Sequence, residues 1–276
     1  MNTLVGFRVD FSKKSTKRLE DEIKNYTRLF GRYELKFSNY FKNENYLDFI
    51  YGLSKKYLGN NFTLHLPKNI LIDKQERKDC KTLLKFLNKN NYNTNLVTHI
   101  PVNNDYFEML NILKDLSNNL PQGTMLLLEN VATIENERYF YQINNLFQNL
   151  EIINVFNVGF CLDFGHLLYG YTKEKKTQSF ALNELKNRTY IIKNIHELHF
   201  HDFTYKTDHL QLGQGIMNIN LISRFIKEYS LESNLIIETT VKNPIIDGID
   251  QVVTAEHILG SNYRETNLDN NSDKKH

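Results

Sequence analysis

The chain has 276 residues, of which 41% are hydrophobic and 24% are charged, and its formal net charge is +2. This length and apolar content allow a sizeable buried core in one large domain or two small ones. The near-neutral charge argues against a basic nucleic-acid-binding arm, and two cysteines, Cys80 and Cys161, are too few for a disulfide framework.

The two ends of the chain predict no membrane anchor. The first residues, MNTLVGFRVDFSKK, contain too short an apolar run for a secretory signal. The chain also has no run of about 18 apolar residues that could span a bilayer. We therefore expect a cytoplasmic protein with no membrane partner. Residues 1–261 are expected to form the folded domain, and the polar tail 262–276 is expected to be disordered.

Short apolar runs alternate with segments of helical periodicity along the whole chain. The predicted strands are Leu4–Val9, Tyr33–Phe37, Phe62–Leu66, Asn95–Ile100, Thr124–Leu128, Val158–Leu162, Glu197–Phe200 and Leu235–Ile237. The predicted helices are Lys14–Phe30, Tyr46–Tyr57, Gln75–Leu87, Tyr106–Leu116, Arg138–Leu150, Ser179–Ile192, Ile219–Tyr229 and Ile249–Leu259.

Eight strand and helix pairs over this length predict an α/β protein with a single-domain (β/α)8 TIM barrel. Fully apolar runs such as MLLL and LII are typical of strands that are buried on both faces. An open doubly wound sheet is the alternative. It is disfavoured because no G-x-G-x-x-G turn follows the first strand, and because polar residues occur at the ends of strands three to eight alike.

Those polar residues are the candidate site. The stretch Val158–Gly170, VGFCLDFGHLLYG, ends its strand in Asp163, with His166 three residues later. Residues at the other strand ends extend the set: His65, His99, Glu129, His199 and Glu238. The carboxyl ends of the strands of a barrel meet at one mouth, so we expect these side chains to converge on a metal site.

Each residue also has a simpler interpretation when it is taken alone. A histidine such as His65 or His99 at a strand end more often satisfies a backbone group than binds a metal. Glu129 and Asp163 could be helix caps. The pair His201–Asp202 could lie in an exposed turn, and Asp208–His209 could belong to a polar loop. The occurrence of six good ligands at one end of successive strands is what favours a metal.

The ligand types indicate which metal to expect. Imidazoles and carboxylates without cysteine favour zinc or manganese over a thiolate site or a purely oxygen-lined cage. The set contains more ligands than one ion needs. Two or three Zn²⁺ ions are therefore expected, with a single Mn²⁺ or another divalent ion as the alternative.

The ordered motifs resemble those of the endonuclease IV family of apurinic/apyrimidinic endonucleases, within the wider group of xylose isomerase-like barrels. They are H-x-P at His65 and His99, E-N at Glu129, C-x-D-x-x-H at Asp163 and His166, H-x-x-D at His199, H-x-x-x-G-x-G at His209 and E-T at Glu238.

The resemblance implies a ligand set for each of three zinc ions. The sets are His65, His99 and Glu129; then Glu129, Asp163, His199 and Glu238; and lastly His166 with His209. The family has an aspartate two residues before the last histidine. This chain has Thr207 there, with Asp208 adjacent as a candidate replacement.

Two enzyme classes follow. In the first, which the resemblance and the extra pair His65 and His99 favour, a zinc-bound hydroxide cleaves damaged double-stranded DNA 5′ to an abasic site. In the second, one metal orients a small keto-sugar or sugar phosphate while Glu129 and Glu238 exchange a proton on opposite faces. His166, His201 and Asp208 would then bind substrate. A barrel that only binds a ligand is the least favoured alternative, because no main ligand is missing except at Thr207.

Overall fold

The structure is a computed structural model. It describes residues 5–10, 32–36, 44–58, 62–102, 105–231 and 233–239, and a few residues between 17 and 24 and between 250 and 255. Most of the first and last predicted helices, and all of the predicted tail 262–276, lie outside the described residues.

Eight strands and eight helices have defined bounds in the described residues. The strands are β1 (Val5–Asp10), β2 (Arg32–Lys36), β3 (Phe62–His65), β4 (Asn95–His99), β5 (Leu126–Glu129), β6 (Val158–Asp163), β7 (Ile195–Phe200) and β8 (Asn234–Ile237). The helices are α1 (Glu44–Leu58), α2 (Lys74–Lys89), α3 (Tyr106–Ser117), α4 (Asn136–Ile152), α5 (Phe164–Lys173), α6 (Gln178–Lys186), α7 (Thr189–Ile192) and α8 (Ile219–Glu228).

The strands form one closed parallel barrel in chain order, with β1 paired to β8 as well as to β2. The prediction of a (β/α)8 barrel is thereby confirmed. Alternate residues of each strand face opposite sides of the sheet. In β5, Leu126 and Leu128 belong to the large core between barrel and helices, whereas Leu127 lies in a small inner cluster with Val97 and Cys161. The polar strand ends lie above this inner cluster.

The α5 helix is the main departure from the predicted elements. The sequence pattern predicts one helix over Ser179–Ile192, but the structure has α5, α6 and the short α7 after β6. Asp163 caps α5 directly at the strand end by accepting a hydrogen bond from the backbone N–H of His166. The segment FGHLLYGYTK contains two glycines and four aromatic or histidine side chains, which are weak helix formers, so propensity alone does not indicate a helix there.

Cys80 and Cys161 are both buried, and neither forms a disulfide. Two cysteines were too few to predict a disulfide framework. Within the part of the chain that the structure describes, no helix has the length and apolar character needed to cross a membrane.

Candidate metal centre

Four side chains from consecutive strands meet at the carboxyl end of the barrel. Glu129 and Asp163 end β5 and β6, His199 lies in β7, and Glu238 directly follows β8. One ligand atom from each lies within 4.8 Å of the others, and none of the four residues is more than 2% exposed. The parallel register that pairs Asp163 with His199 brings these residues side by side.

Each of the four residues has a buried polar atom with no hydrogen-bond partner among the described residues. These atoms are Glu129 Oε1, Asp163 Oδ2, His199 Nδ1 and Glu238 Oε1. A buried polar group without a partner costs free energy, and folded proteins rarely leave one unsatisfied. Four such atoms in one place, three of them carboxylate oxygens, fit a bound divalent cation.

The second carboxylate oxygens of Glu129 and Asp163 contact other groups of the protein. Glu129 Oε2 lies 2.9 Å from His65 Nε2 and 3.2 Å from His99 Nε2. Asp163 Oδ1 accepts the α5 cap bond from the backbone N–H of His166 at 2.7 Å. Each carboxylate is therefore oriented on one side and left open on the other, as a metal ligand requires.

The other two ligands are oriented in the same way. His199 Nε2 lies 3.3 Å from Glu197 Oε1 and 3.1 Å from Glu34 Oε2. Glu238 forms an ion pair through Oε2 with Arg8 Nη1. A carboxylate behind a ligating imidazole fixes its tautomer, so in the neutral ring the lone pair of His199 Nδ1 faces Glu238 Oε1 at 2.9 Å.

The surrounding cationic groups keep the carboxylates ionised. Burial by itself raises the pKa of Glu129, but His99 and His199 outweigh it and hold that pKa well below its usual 4.5. Burial is likewise outweighed at Asp163, where His166 and His201 lower the pKa. Arg8 has the same effect on the pKa of Glu238. The three carboxylates are therefore in their charged form, which is the form that binds a metal.

A second group lies beside the first and shares Glu129. His65, His99 and Glu129 offer ligand atoms within 4.8 Å of one another. His65 Nδ1 donates to the carbonyl oxygen of Leu66 at 2.8 Å, so in the neutral ring the lone pair of Nε2 faces Glu129 Oε2. Two acceptors at 2.9 Å need a proton or a cation between them. This group can therefore take a second ion, or it can serve as a hydrogen-bonding support for Glu129.

The predicted third ion has a weaker basis in the geometry. His166, His201 and His209 also lie together, and the rings of His201 and His209 stack with centroids 4.1 Å apart. However, the backbone N–H of His209 donates to His201 Nδ1 at 3.0 Å. His201 Nε2 faces Asp163 Oδ1 at 3.3 Å, and it carries a proton both in the cation and in the neutral form that this bond selects. Burial by itself lowers the pKa of His201, but Asp163 outweighs it and raises that pKa to about 9. In this arrangement His201 supports Asp163 and does not act as a ligand.

The structure also locates Asp208, the candidate replacement for the ligand missing at Thr207. Its Oδ1 lies 3.5 Å from His209 Nδ1, and its side chain is 37% exposed. It belongs to none of the ligand groups found among the described residues. His166 Nδ1 lies 3.1 Å from the carbonyl oxygen of Asn130, which leaves its Nε2 available to a substrate or an ion.

The loop between β7 and α8 positions His209 over the centre. The interpretation of His201–Asp202 as an exposed turn is wrong, because both residues are buried. The carboxylate of Asp202 accepts hydrogen bonds from four backbone N–H groups of the loop, those of Phe203, Gly213, Gly215 and Met217. A Cβ at position 215 would overlap the Asp202 carboxylate, so only glycine fits there. His209 has a φ of 57°, a strained value for a residue with a side chain.

Three further charged residues, which the motifs do not indicate, lie next to the four ligands: Arg8, Glu34 and Glu197. They are charged residues inside strands, at inward-facing positions of the barrel. Glu34 and Glu197 are fully buried. The available signal was a charged residue at alternating positions of an otherwise apolar strand, as in YELKF and IHELHF.

Comparisons with known proteins agree with the barrel. The sequence profile of a family described as xylose isomerase-like TIM barrel matches residues 103–256, which is more than half of the chain. A search of curated protein sequences finds no significant match. The profile describes the wider barrel group and does not single out the endonucleases.

Among solved structures, a D-tagatose 3-epimerase-like protein is 20% identical with a TM-score of 0.57, over 94% of this chain and 97% of that one. An L-ribulose 3-epimerase is 13% identical with a TM-score of 0.59, over 91% and 86%. A type I 3-dehydroquinate dehydratase from Clostridium difficile is 8% identical with a TM-score of 0.56, over 94% of each chain. Identities this low indicate a shared fold only.

Proposed function

The chain belongs to the xylose isomerase-like TIM-barrel family, and on that premise we propose that it is a metal-dependent isomerase or epimerase of a small keto-sugar or sugar phosphate. The observation that carries the proposal is the set of four unpartnered buried atoms on Glu129, Asp163, His199 and Glu238. They would form one ion site of mixed carboxylate and imidazole ligands, for which Mn²⁺ and Zn²⁺ are the best candidates.

The bound metal would polarise the carbonyl and adjacent hydroxyl of the substrate. Glu129 and Glu238 approach the centre from strands separated by β6 and β7, which suits removal of a proton from one face of the substrate and its return on the other. One ionised carboxylate takes the proton from the carbon beside the carbonyl. The other glutamate would enter this step as the carboxylic acid, return a proton to the opposite face and be left ionised. His166 Nε2 and the half-exposed His209 ring are available to bind substrate hydroxyls.

The charge around the mouth supports a small substrate over duplex DNA. Apart from the ligand Glu238 and Thr239 after β8, the described loops at the carboxyl ends of the strands cover residues 66–73, 100–102, 105, 130–135 and 201–218. Apart from the buried Asp202, their charged residues are two lysines and four carboxylates: Lys68, Lys206, Asp73, Asp105, Glu135 and Asp208. Duplex binding depends on lysine and arginine side chains that neutralise phosphates, and this part of the rim has an excess of negative charge.

The pair His65 and His99 favours a phosphodiesterase when the sequence is considered alone. Both rings contact Glu129 Oε2, on the side of the carboxylate that faces away from the four-ligand centre. A supporting role in a mononuclear isomerase accounts for these contacts without a second ion. Two of the similar structures described above are sugar 3-epimerases, which is the source of the substrate class that we propose.

The decisive experiment follows proton exchange. The full chain, loaded with Mn²⁺ or Zn²⁺, is incubated in D2O with a panel of ketoses and ketose phosphates. We expect deuterium to appear at the carbon beside the carbonyl, as seen by NMR, and the epimer or aldose to accumulate. Glu129→Gln should abolish exchange, because the amide cannot accept the proton.

A duplex with one abasic site is tested in parallel. Cleavage of this duplex, with no deuterium incorporation into any sugar, would reject the isomerase and favour the endonuclease. His65→Ala separates the two further. A phosphodiesterase that uses His65 as a zinc ligand should lose most of its rate, whereas the isomerase should keep its turnover at saturating metal.

A further inference from the structure

We propose that Arg8 and Glu34, two charged residues at the centre of the barrel, set the affinity of the metal centre in opposite directions. Arg8 acts as an internal cation that competes with the metal for Glu238. Glu34 acts as an uncoordinated carboxylate that attracts the metal and orients His199. The inference rests on the metal centre of the proposed function and concerns its regulation by residues that do not bind the ion.

The geometry links the two residues to two of the metal ligands in a closed ring. Arg8 Nη1 pairs with Glu238 Oε2, and Arg8 Nε lies 3.5 Å from Glu34 Oε1. Glu34 Oε2 lies 3.1 Å from His199 Nε2. The ring closes where His199 Nδ1 lies 2.9 Å from Glu238 Oε1. Arg8 is 10% exposed and the other three side chains are fully buried.

The guanidinium of Arg8 lies among acceptor groups, where it supplies a positive charge. Glu34, His65 and Glu238 offer ligand atoms within 4.8 Å of one another, and the two oxygens of Glu34 face Arg8 Nε and His199 Nε2. The guanidinium is the positive charge that compensates Glu34 and Glu238 when no metal is bound. It also occupies Glu238 Oε2, which leaves a single oxygen, Oε1, for the metal.

Charges at this depth interact strongly, because little water screens them. Removal of Arg8 leaves Glu34 and Glu238 uncompensated, so the metal-free protein loses stability and the ion gains attraction. Removal of the Glu34 charge does the opposite to the ion, because it takes away one negative charge and the carboxylate that faces His199. If the contacts among these four side chains have a purely structural role, both variants should instead weaken metal binding, because the ligands become disordered.

The test compares Arg8→Met with Glu34→Gln in the metal-stripped full chain. Mn²⁺ and Zn²⁺ are titrated separately against a fluorescent chelator, and the melting temperature is recorded with and without each ion. We expect Arg8→Met to bind at least about tenfold more tightly and Glu34→Gln at least about tenfold more weakly, which is the size of effect known for residues behind metal ligands. Arg8→Met should also melt lower without metal and show a larger metal-induced rise.

A matched pair of variants controls for the loss of a partly buried ion pair. Arg188 Nη2 lies 3.1 Å from Glu184 Oε2, between α6 and α7 and outside the barrel. Arg188→Met and Glu184→Gln should leave both affinities unchanged. Arg8→Lys keeps the charge and should stay close to the wild-type affinity.

Two outcomes would overturn the inference while the proposed function survives: both central variants bind metal more weakly, or neither changes. Failure of the wild-type chain to bind either ion would instead reject the metal centre itself, and the inference with it.

Discussion

The two halves of the barrel contribute different chemistry to the same mouth. Strands β5 to β8 supply the four candidate ligands, Glu129, Asp163, His199 and Glu238, each with one buried atom left open. Strands β1 to β4 supply side chains that contact the far sides of these ligands: Arg8, Glu34, His65 and His99. One half can hold the ion, and the other half orients the ligands and sets their charge. Substitutions in the two halves should therefore have effects of different size and sign.

The largest effect is expected from the ligand half. Asp163→Asn should remove the metal and lower turnover by about 10²- to 10⁴-fold, because an amide replaces one of three anionic ligands. Asparagine is as good a helix cap as aspartate, so α5 should persist. Metal per chain by elemental analysis, sugar turnover and the melting temperature of the metal-free protein measure the three consequences.

Asp105→Asn is the matched control for this variant, because Asp105 caps α3 in the same way but lies outside the centre. It should keep its metal and its turnover. Retention of a full complement of metal by Asp163→Asn would show that Asp163 is only a helix cap.

A change of pH should have a smaller effect on stability. The effect should have opposite signs for the carboxylates of the ligand half and for His99 of the other half. Despite burial, neighbouring cationic groups hold the pKa values of Glu129 and Glu238 well below 4.5. Their contribution to stability is therefore present above pH 4.5 and is lost as the pH falls through the folded-state values. At His99, burial lowers the pKa but Glu129 outweighs it and raises the pKa above 6.5. That contribution is present below pH 6.5 and is lost as the pH rises through the raised value.

Urea unfolding of the metal-free protein across this pH range measures both losses. Arg8→Met should start the acid-side loss at a higher pH, since Arg8 is the main group that lowers the pKa of Glu238. His99→Ala should remove the contribution that is lost as the pH rises. An acid-side loss that Arg8→Met leaves unchanged would contradict the electrostatic role of the first half.

The smallest effect is expected at the rim. Asp208→Asn should change metal affinity and turnover by no more than about fivefold, because the carboxylate is partly exposed and contacts only His209 at 3.5 Å. Chelator titration and steady-state rates provide the measurement. A loss of bound metal would show that Asp208 replaces the ligand missing at Thr207 and would extend the centre beyond the two halves.

The sequence pattern was sufficient for the barrel and for the polar residues at the strand ends. All eight predicted strands are present, and their bounds differ by only a few residues, as where Thr124–Leu128 is predicted and Leu126–Glu129 is observed. The α5 helix was missed because its cap and the barrel context outweigh poor propensity. Arg8, Glu34 and Glu197 were missed because a buried charge inside a strand has no local signature of its partner.

By itself, the sequence determined the order of the strands and the polar residue that each of strands three to eight places at its carboxyl end, because both depend on local periodicity. Only the tertiary structure decided which atom of each ligand stays open. Arg8 and Glu238 are 230 positions apart in the chain, and they meet because β1 closes the barrel against β8. Likewise, the bond from His209 to the His201 ring depends on a loop that Asp202 folds. Contacts of this kind depend on barrel closure and loop packing, which no local pattern encodes.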